Sequence, residues 1–211
     1  MKKLFFIFIT ILILKYCYFL TSDDIIELPE PKKEGGMPLN EALSKRKSSR
    51  DFDASKEISL ETLSQALWSC YGTNRPNGYK TTPSAVAWFP LIVYVFLEEG
   101  VYQYDPSSHS LLKLISGDYR SMTGTQPFVA NAAVNFVFIA DYNKPSSIDD
   151  DSKYKYIYLD TGHSSMALGL FAASNNMKGV PRAMVDVDPL LKFLKLDKDK
   201  YVFTLAFSLG Y

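Results

Sequence analysis

Two cysteines, Cys17 and Cys70, and two histidines, His109 and His163, are all that 211 residues offer of the side chains most used for metal binding and nucleophilic chemistry. No His/Cys/Asp/Glu spacing typical of a metal site occurs, nor a glycine-rich phosphate loop or dinucleotide fingerprint. No carboxylate pair falls where a cleft is expected. His109 sits in a turn and His163 in a helical stretch, each without an orienting partner, so both read as structural or solvent-facing. Nothing near Cys70 would lower its pKa. A serine hydrolase or a metalloenzyme has little to build on, whereas an enzyme whose reactivity resides in a bound organic cofactor needs no more than this.

Excess charge is also missing. Lysine plus arginine and aspartate plus glutamate number 23 each, which argues against a nucleic-acid partner. Met1-Lys2-Lys3 followed by the apolar run Leu4 to Leu14 has the form of a secretory n-region and h-region, and it is shorter than the ~20 residues of a membrane span. Residues 1–22 therefore read as a signal peptide. Lys15 interrupts the run and no small-x-small cleavage site follows it, so an uncleaved N-terminal anchor is the alternative. Cleavage after Ser22 would leave 20 basic against 23 acidic residues. It would also leave Cys70 as the only thiol, with no internal disulfide despite an exported, periplasmic or secreted destination. Residues 23–38, with Pro29, Pro31, Gly35 and Gly36, read as a linker. The folded domain is expected over residues 39–211, a single-domain length.

Within that domain, Leu60, Leu63, Leu67 and Cys70 recur at helical spacing behind Ser59, a suitable N-cap. Leu91 to Leu97 is a continuous β-branched and aromatic run, hence a buried strand. Val101 to Tyr104 and Leu111 to Ile115 follow it after turns and complete a meander. Val134 to Ala140 is another strand, Lys153 to Asn175 a long helix, and Val180 to Val185 a strand. Asp188-Pro189 then caps a helix over Leu190 to Leu196, and Tyr201 to Ser208 ends the chain as a strand. This order implies an α+β fold with helices on a mixed, mostly antiparallel sheet.

The stretch with the most chemical content is Arg46-Lys47-Ser48-Ser49-Arg50-Asp51-Phe52. Two guanidiniums four residues apart with a hydroxyl between them suit a ligand that has a phosphate at one end and an electron-rich ring at the other. Taken alone it also reads as a solvated basic helix end. Gly72 to Ala85 is a polar, glycine-containing loop, either a functional loop or an ordinary connection.

Arg-x-Ser-x-Arg-x-Phe near the start of a domain of this size resembles the opening motif of the FMN-dependent nitroreductase superfamily. Thr82-Pro83-Ser84-Ala85, Gly100 to Asp105, Asp160-Thr161-Gly162-His163 and Val180 to Asp186 follow in that family's order. Together they resemble the branch of the SagB-type dehydrogenases and their free-standing relatives. The resemblance implies a homodimer with FMN at the interface. Arg46, Lys47 and Ser48 would hold the phosphate and ribityl end, and Arg50 would act as electrostatic tuner at the ring. The Pro83, Ser84 and Ala85 backbone would reach the flavin of the neighbouring subunit, and a backbone N–H of Arg182 or Ala183 would donate to N5. The implied activity is two-electron, ping-pong transfer to a small aromatic or quinone-like acceptor, with NAD(P)H as a candidate donor. The alternative is a non-catalytic flavin-binding or carrier module, since export removes NAD(P)H as a convenient donor. Ile148 and Asp149 stand where azoline-oxidising members carry a Lys-Tyr pair, which argues against peptide heterocycle oxidation.

Overall fold

The structure is a computed structural model and describes residues 24–146 and 148–211. The expected signal peptide thus lies outside the described residues. Among these, no helix is long and apolar enough to cross a membrane.

Seven strands form one sheet: β1 (Ile25–Glu27), β2 (Leu91–Phe96), β3 (Gly100–Asp105), β4 (Ser110–Ser116), β5 (Val134–Asp141), β6 (Lys178–Arg182) and β7 (Tyr201–Gly210). Their spatial order is β1-β4-β3-β2-β5-β7-β6. Among the described residues the four α-helices are α1 (Leu39–Lys45), α2 (Leu60–Tyr71), α3 (Asp150–Ser174) and α4 (Val187–Phe193). Every strand pairing is antiparallel, so the parallel component expected of a mixed sheet is absent among the described residues.

The unbroken apolar run of β2 follows from burial on both faces. Leu91, Val93 and Val95 join the core beneath α2 and α3, together with Leu67, Ile157, Leu168 and Phe171. Tyr94 and Phe96 point the other way, into a second core under α4 with Leu190 and Leu191. β5 divides in the same manner, Phe136 and Phe138 to one side and Val137 and Ile139 to the other. A strand buried on both faces has no polar side to alternate with.

Several boundaries depart from the sequence reading. α3 starts at Asp150 rather than Lys153, because Asp149 caps it by accepting from Ser152 N–H at 2.9 Å. β6 stops at Arg182, and α4 begins at Val187 behind Asp186. Asp188-Pro189 therefore lies inside the first turn of α4, where a missing N–H costs nothing.

The larger correction concerns residues 23–38. This segment is not merely a linker: Ile25, Ile26 and Glu27 pair with Leu112, Leu111 and Ser110, and Leu28 is buried. Ser64 Oγ on α2 donates to Pro29 O at 2.5 Å. With that proton committed, His109 Nε2, 2.8 Å from the same oxygen, is the donor to it, and Nδ1 accepts from Tyr104 Oη at 2.8 Å. Lys32 and Gln65 exchange two further hydrogen bonds. Proline and glycine content signalled irregular chain correctly, but irregular chain also docks when its carbonyls find donors.

The Ser64–His109–Tyr104 chain gives His109 the structural role its sequence context implied. Burial depresses its pKa, so the folded state favours the neutral ring. Stability from this source is present above the unfolded value of about 6.5 and is lost as pH falls below it. Urea midpoints measured at pH 7.5 and pH 5.5 should fall for the native chain, and the drop should be smaller in His109→Asn.

Candidate functional site

The basic corner begins at the C-terminus of α1, where Arg46 N–H caps the helix by donating to Ala42 O at 2.9 Å. Phe52 fixes its other end. The ring is buried against Phe128, at 6.1 Å between centroids, with Ala132 and Val180. Between these two anchors Ser49 N–H donates to Gly179 O at 3.1 Å, on the outer edge of the sheet's last strand, β6. A Cβ on Gly179 would stand 2.9 Å from the Phe207 ring, so this edge packs closely only because residue 179 has no side chain.

The four side chains singled out in this corner are uncommitted. Arg46 is half-buried, its stem lying across Gly169 of α3, while Lys47, Ser48 and Arg50 are exposed. None of the four side chains has a hydrogen-bond or ion-pair partner among the described residues, in contrast to the surrounding cations. Lys45 pairs with Glu41 at 2.8 Å, Lys56 with Asp53 at 3.6 Å and Lys178 with Asp51 at 3.8 Å. Three positive charges within five residues thus pair with no carboxylate among the described residues, an arrangement suited to an external anion.

Four residues beyond Gly179, about 13 Å along an extended strand, the chain reaches Ala183. Its position is set by two anchors. On one side Arg182 is buried, its Nε donating to Ser208 Oγ at 2.9 Å, Nη1 to Thr123 O at 2.6 Å, and Nη2 to Thr123 Oγ1 and Asn135 Oδ1 at 3.2 Å each. All four acceptors are neutral, and burial lowers the guanidinium pKa to about 10. On the other side Met184 O accepts from Thr125 N–H at 3.1 Å. Ala183 is exposed between them, and its N–H has no acceptor among the described residues. Sequence reading gave Arg182 a backbone role alone; its side chain proves to be the fastening, and Thr123 and Asn135 were not anticipated.

Pro83, Ser84 and Ala85 lie elsewhere. Ser84 Oγ donates to Asp160 Oδ2 of α3 at 2.5 Å and accepts from Phe89 N–H at 2.9 Å, while Ala85 N–H reaches Asp160 Oδ1 at 3.4 Å. Thr82 Oγ1 donates to Cys70 O at 3.1 Å. The loop then passes through three left-handed non-glycine residues, Val86, Ala87 and Phe89, with φ of 49°, 54° and 46°. Such conformations cost on the order of 1 kcal/mol or more each and cluster where a backbone is held for a purpose. Burial raises the pKa of Asp160, opposed by the hydrogen bond from Ser84. Asp160 lies on the inner face of α3 beside the buried Thr161, Ser164 and Ser165, and its motif carries no role in the sequence reading. Cys70 is inert as expected, buried with its thiol pKa pushed up by desolvation.

One chain does not unite these groups. Arg46 crosses α3 at Gly169 and the Pro83–Ala85 loop grips it at Asp160, nine residues or roughly 13 Å away along the helix axis.

The Nitroreductase family profile matches residues 43–211, and the chain belongs to that family. A Methanocaldococcus jannaschii protein assigned to the nitroreductases is 31% identical over 159 residues, which cover 71% of this chain and 78% of its own. The crystal structure of a Ralstonia eutropha JMP134 protein of the same assignment superposes with a TM-score of 0.83 at 34% identity, covering 90% of both chains. A Desulfovibrio desulfuricans structure, solved in complex with FMN, has the same fold at TM-score 0.60 and 17% identity, covering 83% of this chain and 87% of its own.

Truncating the buried guanidinium would take the donor from Thr123 O and open a cavity, while Asn135 Oδ1 keeps the Ser208 hydroxyl and Thr123 Oγ1 keeps Arg120 O. Arg182→Ala is expected to destabilise the chain by about 2–4 kcal/mol. For a domain of this size that is a fall in Tm of roughly 5–15 °C. Arg182→Lys should restore little of it, since an ammonium does not reproduce the planar fork, and scanning calorimetry of the three proteins measures both effects.

Proposed function

We propose that this nitroreductase-family chain is an exported FMN-dependent oxidoreductase that works as a homodimer with its flavin sites at the subunit interface. The observation that carries the reading is the cationic corner of Arg46, Lys47, Ser48 and Arg50, whose side chains find no partner among the described residues. Bound FMN would supply the two-electron chemistry, passing reducing equivalents in ping-pong fashion to a small aromatic or quinone-like acceptor. The protein's part is binding, orientation and electrostatics. Arg46, Lys47 and Ser48 hold the phosphate and ribityl end. Arg50 places a positive charge beside the part of the ring that gains electron density on reduction, and the free N–H of Ala183 donates to the ring nitrogen opposite.

Support for the dimer comes from α3. Its inner face is buried, yet Tyr154, Tyr158, Leu159 and Met166 are all at least 42% exposed on the single chain. Val86, at the tip of the strained loop, is 82% exposed. A helix that keeps large apolar side chains on its open face as well as its covered one is suited to packing on both, and a second copy seated there would bring its Pro83–Ala85 loop toward the first copy's arginines. Light scattering should give two chains per particle; a monomer retaining its flavin would contradict this arrangement.

Export rests on residues 1–22 and is tested by cell fractionation, with the protein expected outside the cytoplasm. If it is outside, a soluble nicotinamide donor is not at hand, which keeps the non-catalytic carrier as the second reading. The two part on colour. Anaerobic NADH or NADPH should bleach the yellow reductase, whereas bleaching by dithionite alone favours the carrier or an unknown donor.

Arg46 and Arg50 separate by role. Arg46 faces a group charged in every redox state, so Arg46→Ala should weaken FMN retention about a hundredfold, equivalent to ~2–3 kcal/mol, without changing the potential. Arg50→Ala should keep its colour and lower the reduction potential by several tens of millivolts, about 30 mV per 1.4 kcal/mol for a two-electron couple. Redox titration of both variants checks the assignment. Equal flavin loss with no change in potential would remove Arg50 from the ring.

A further inference from the structure

On the sheet's other half, remote from the arginine corner, a cavity of about 600 Å³ opens between the 80–92 segment and the β3–β4 turn. It is of small-molecule size. Its deepest charged group is Lys80, which is only 8% exposed. The ammonium stands 4.8 Å from the Tyr71 ring centre and 5.4 Å from that of Phe89, so ring faces stabilise the charge. Rings carry no lone pairs in line with its protons, and Lys80 Nζ has neither a hydrogen-bond acceptor nor an ion-pair partner among the described residues. Its backbone is held by Arg75 Nη2 donating to Lys80 O at 3.0 Å and by the bridge to Thr73. The backbone that carries the amine is therefore held, and Lys80 lines the cavity with no acceptor of its own among the described residues.

The remaining wall sets the sign and shape of what would fit. A second cation, Lys144, donates to Phe89 O at 3.0 Å and stands at the rim. The one acid in the lining, Asp105, is occupied by its own turn, accepting from Ser107 N–H at 2.8 Å and Ser108 Oγ at 2.9 Å. Trp88 and Phe89 supply flat apolar surface. Neither the arginine fork nor the exposed helix N-terminus that usually marks a phosphate site lines it.

We propose that this cavity is a binding site for a small flat aromatic carboxylate, its anion on Lys80 and its ring against Trp88 and Phe89. The site uses none of the residues assigned to the flavin, although Phe89 N–H donates to Ser84 Oγ of the loop placed there. Desolvation, with Lys144 adding to it, lowers the Lys80 pKa to about 8, so the cation the ligand needs is present at neutral pH and titrates away above it. The groups facing it are Lys144, Asp105, Tyr71 and Tyr104. Burial pushes both phenols up, and they stay neutral over that interval.

Isothermal titration of the full chain with benzoate, and with acetate and inorganic phosphate as comparators, tests the proposal. Benzoate should bind once per chain and at least tenfold more weakly to Lys80→Met, with flavin content equal in the two proteins. Its affinity for the native chain should fall as pH is raised from 7 to 9.5. That second measurement needs no variant and decides the matter if Lys80→Met does not fold. Undetectable benzoate binding, equal binding by the variant, or an affinity independent of pH would each overturn the site. Phosphate or acetate binding as tightly as benzoate would overturn the ligand class.

Discussion

The structure depends on what α3 has to do on two sides at once. Through Ile157, Leu168 and Phe171 it closes the larger core over the sheet. From the same buried face Asp160 reaches out to take the Ser84 hydroxyl and the Ala85 N–H. Burying a carboxylate is costly, as the upward shift of its pKa records. That cost is offset by hydrogen bonds that hold a loop containing three left-handed residues. Near its C-terminal end the helix narrows at Gly169 to let the Arg46 stem across. Its outer face leaves Tyr154, Tyr158, Leu159 and Met166 exposed. Core, loop and corner are therefore fixed relative to one another by one element, and the element itself is incompletely covered.

Much of this was legible in the sequence, and the reasons differ by element. β2 and β5 could be read as strands because residues buried on both faces leave continuous apolar runs. α2 could be read because Ser59 both looks and acts like an N-cap, accepting from Thr62 N–H at 3.2 Å. β1 could not. It is three residues long beside a proline-rich stretch, and what makes it a strand is the exposed edge of β4 together with Ser64 and Gln65, all of them distant in sequence. The same holds for the buried guanidinium of Arg182: composition identifies an arginine in a strand, but not that Thr123, Asn135 and Ser208 converge on it from three other segments.

The candidate site divides along the same line. Arg46, Ser48 and Arg50 were readable as chemistry because anion recognition uses few residue types at short spacing. That they lack partners among the described residues, while Lys45, Lys56 and Lys178 have theirs, is a property only of the fold. The sequence motif around Ser84 marked a loop of interest, whereas its strained backbone and its aspartate anchor belong to the structure. The proposed active centre, a free cationic corner and a rigid loop, would leave reactivity to a bound group and specificity to the surface around it.

The central claim is that each flavin site takes its corner from one copy and its loop from another. Co-expression of Arg46→Ala with Ala85→Glu, each of which alone should yield chain depleted of FMN, tests it most directly. If sites are shared, every mixed dimer has one site that is native on both sides. Random pairing should then restore flavin to about a quarter of all sites, all of it in mixed dimers isolated through two affinity tags. If each site lies within a single chain, the mixed dimers will be as colourless as either parent, and the account of the interface is wrong.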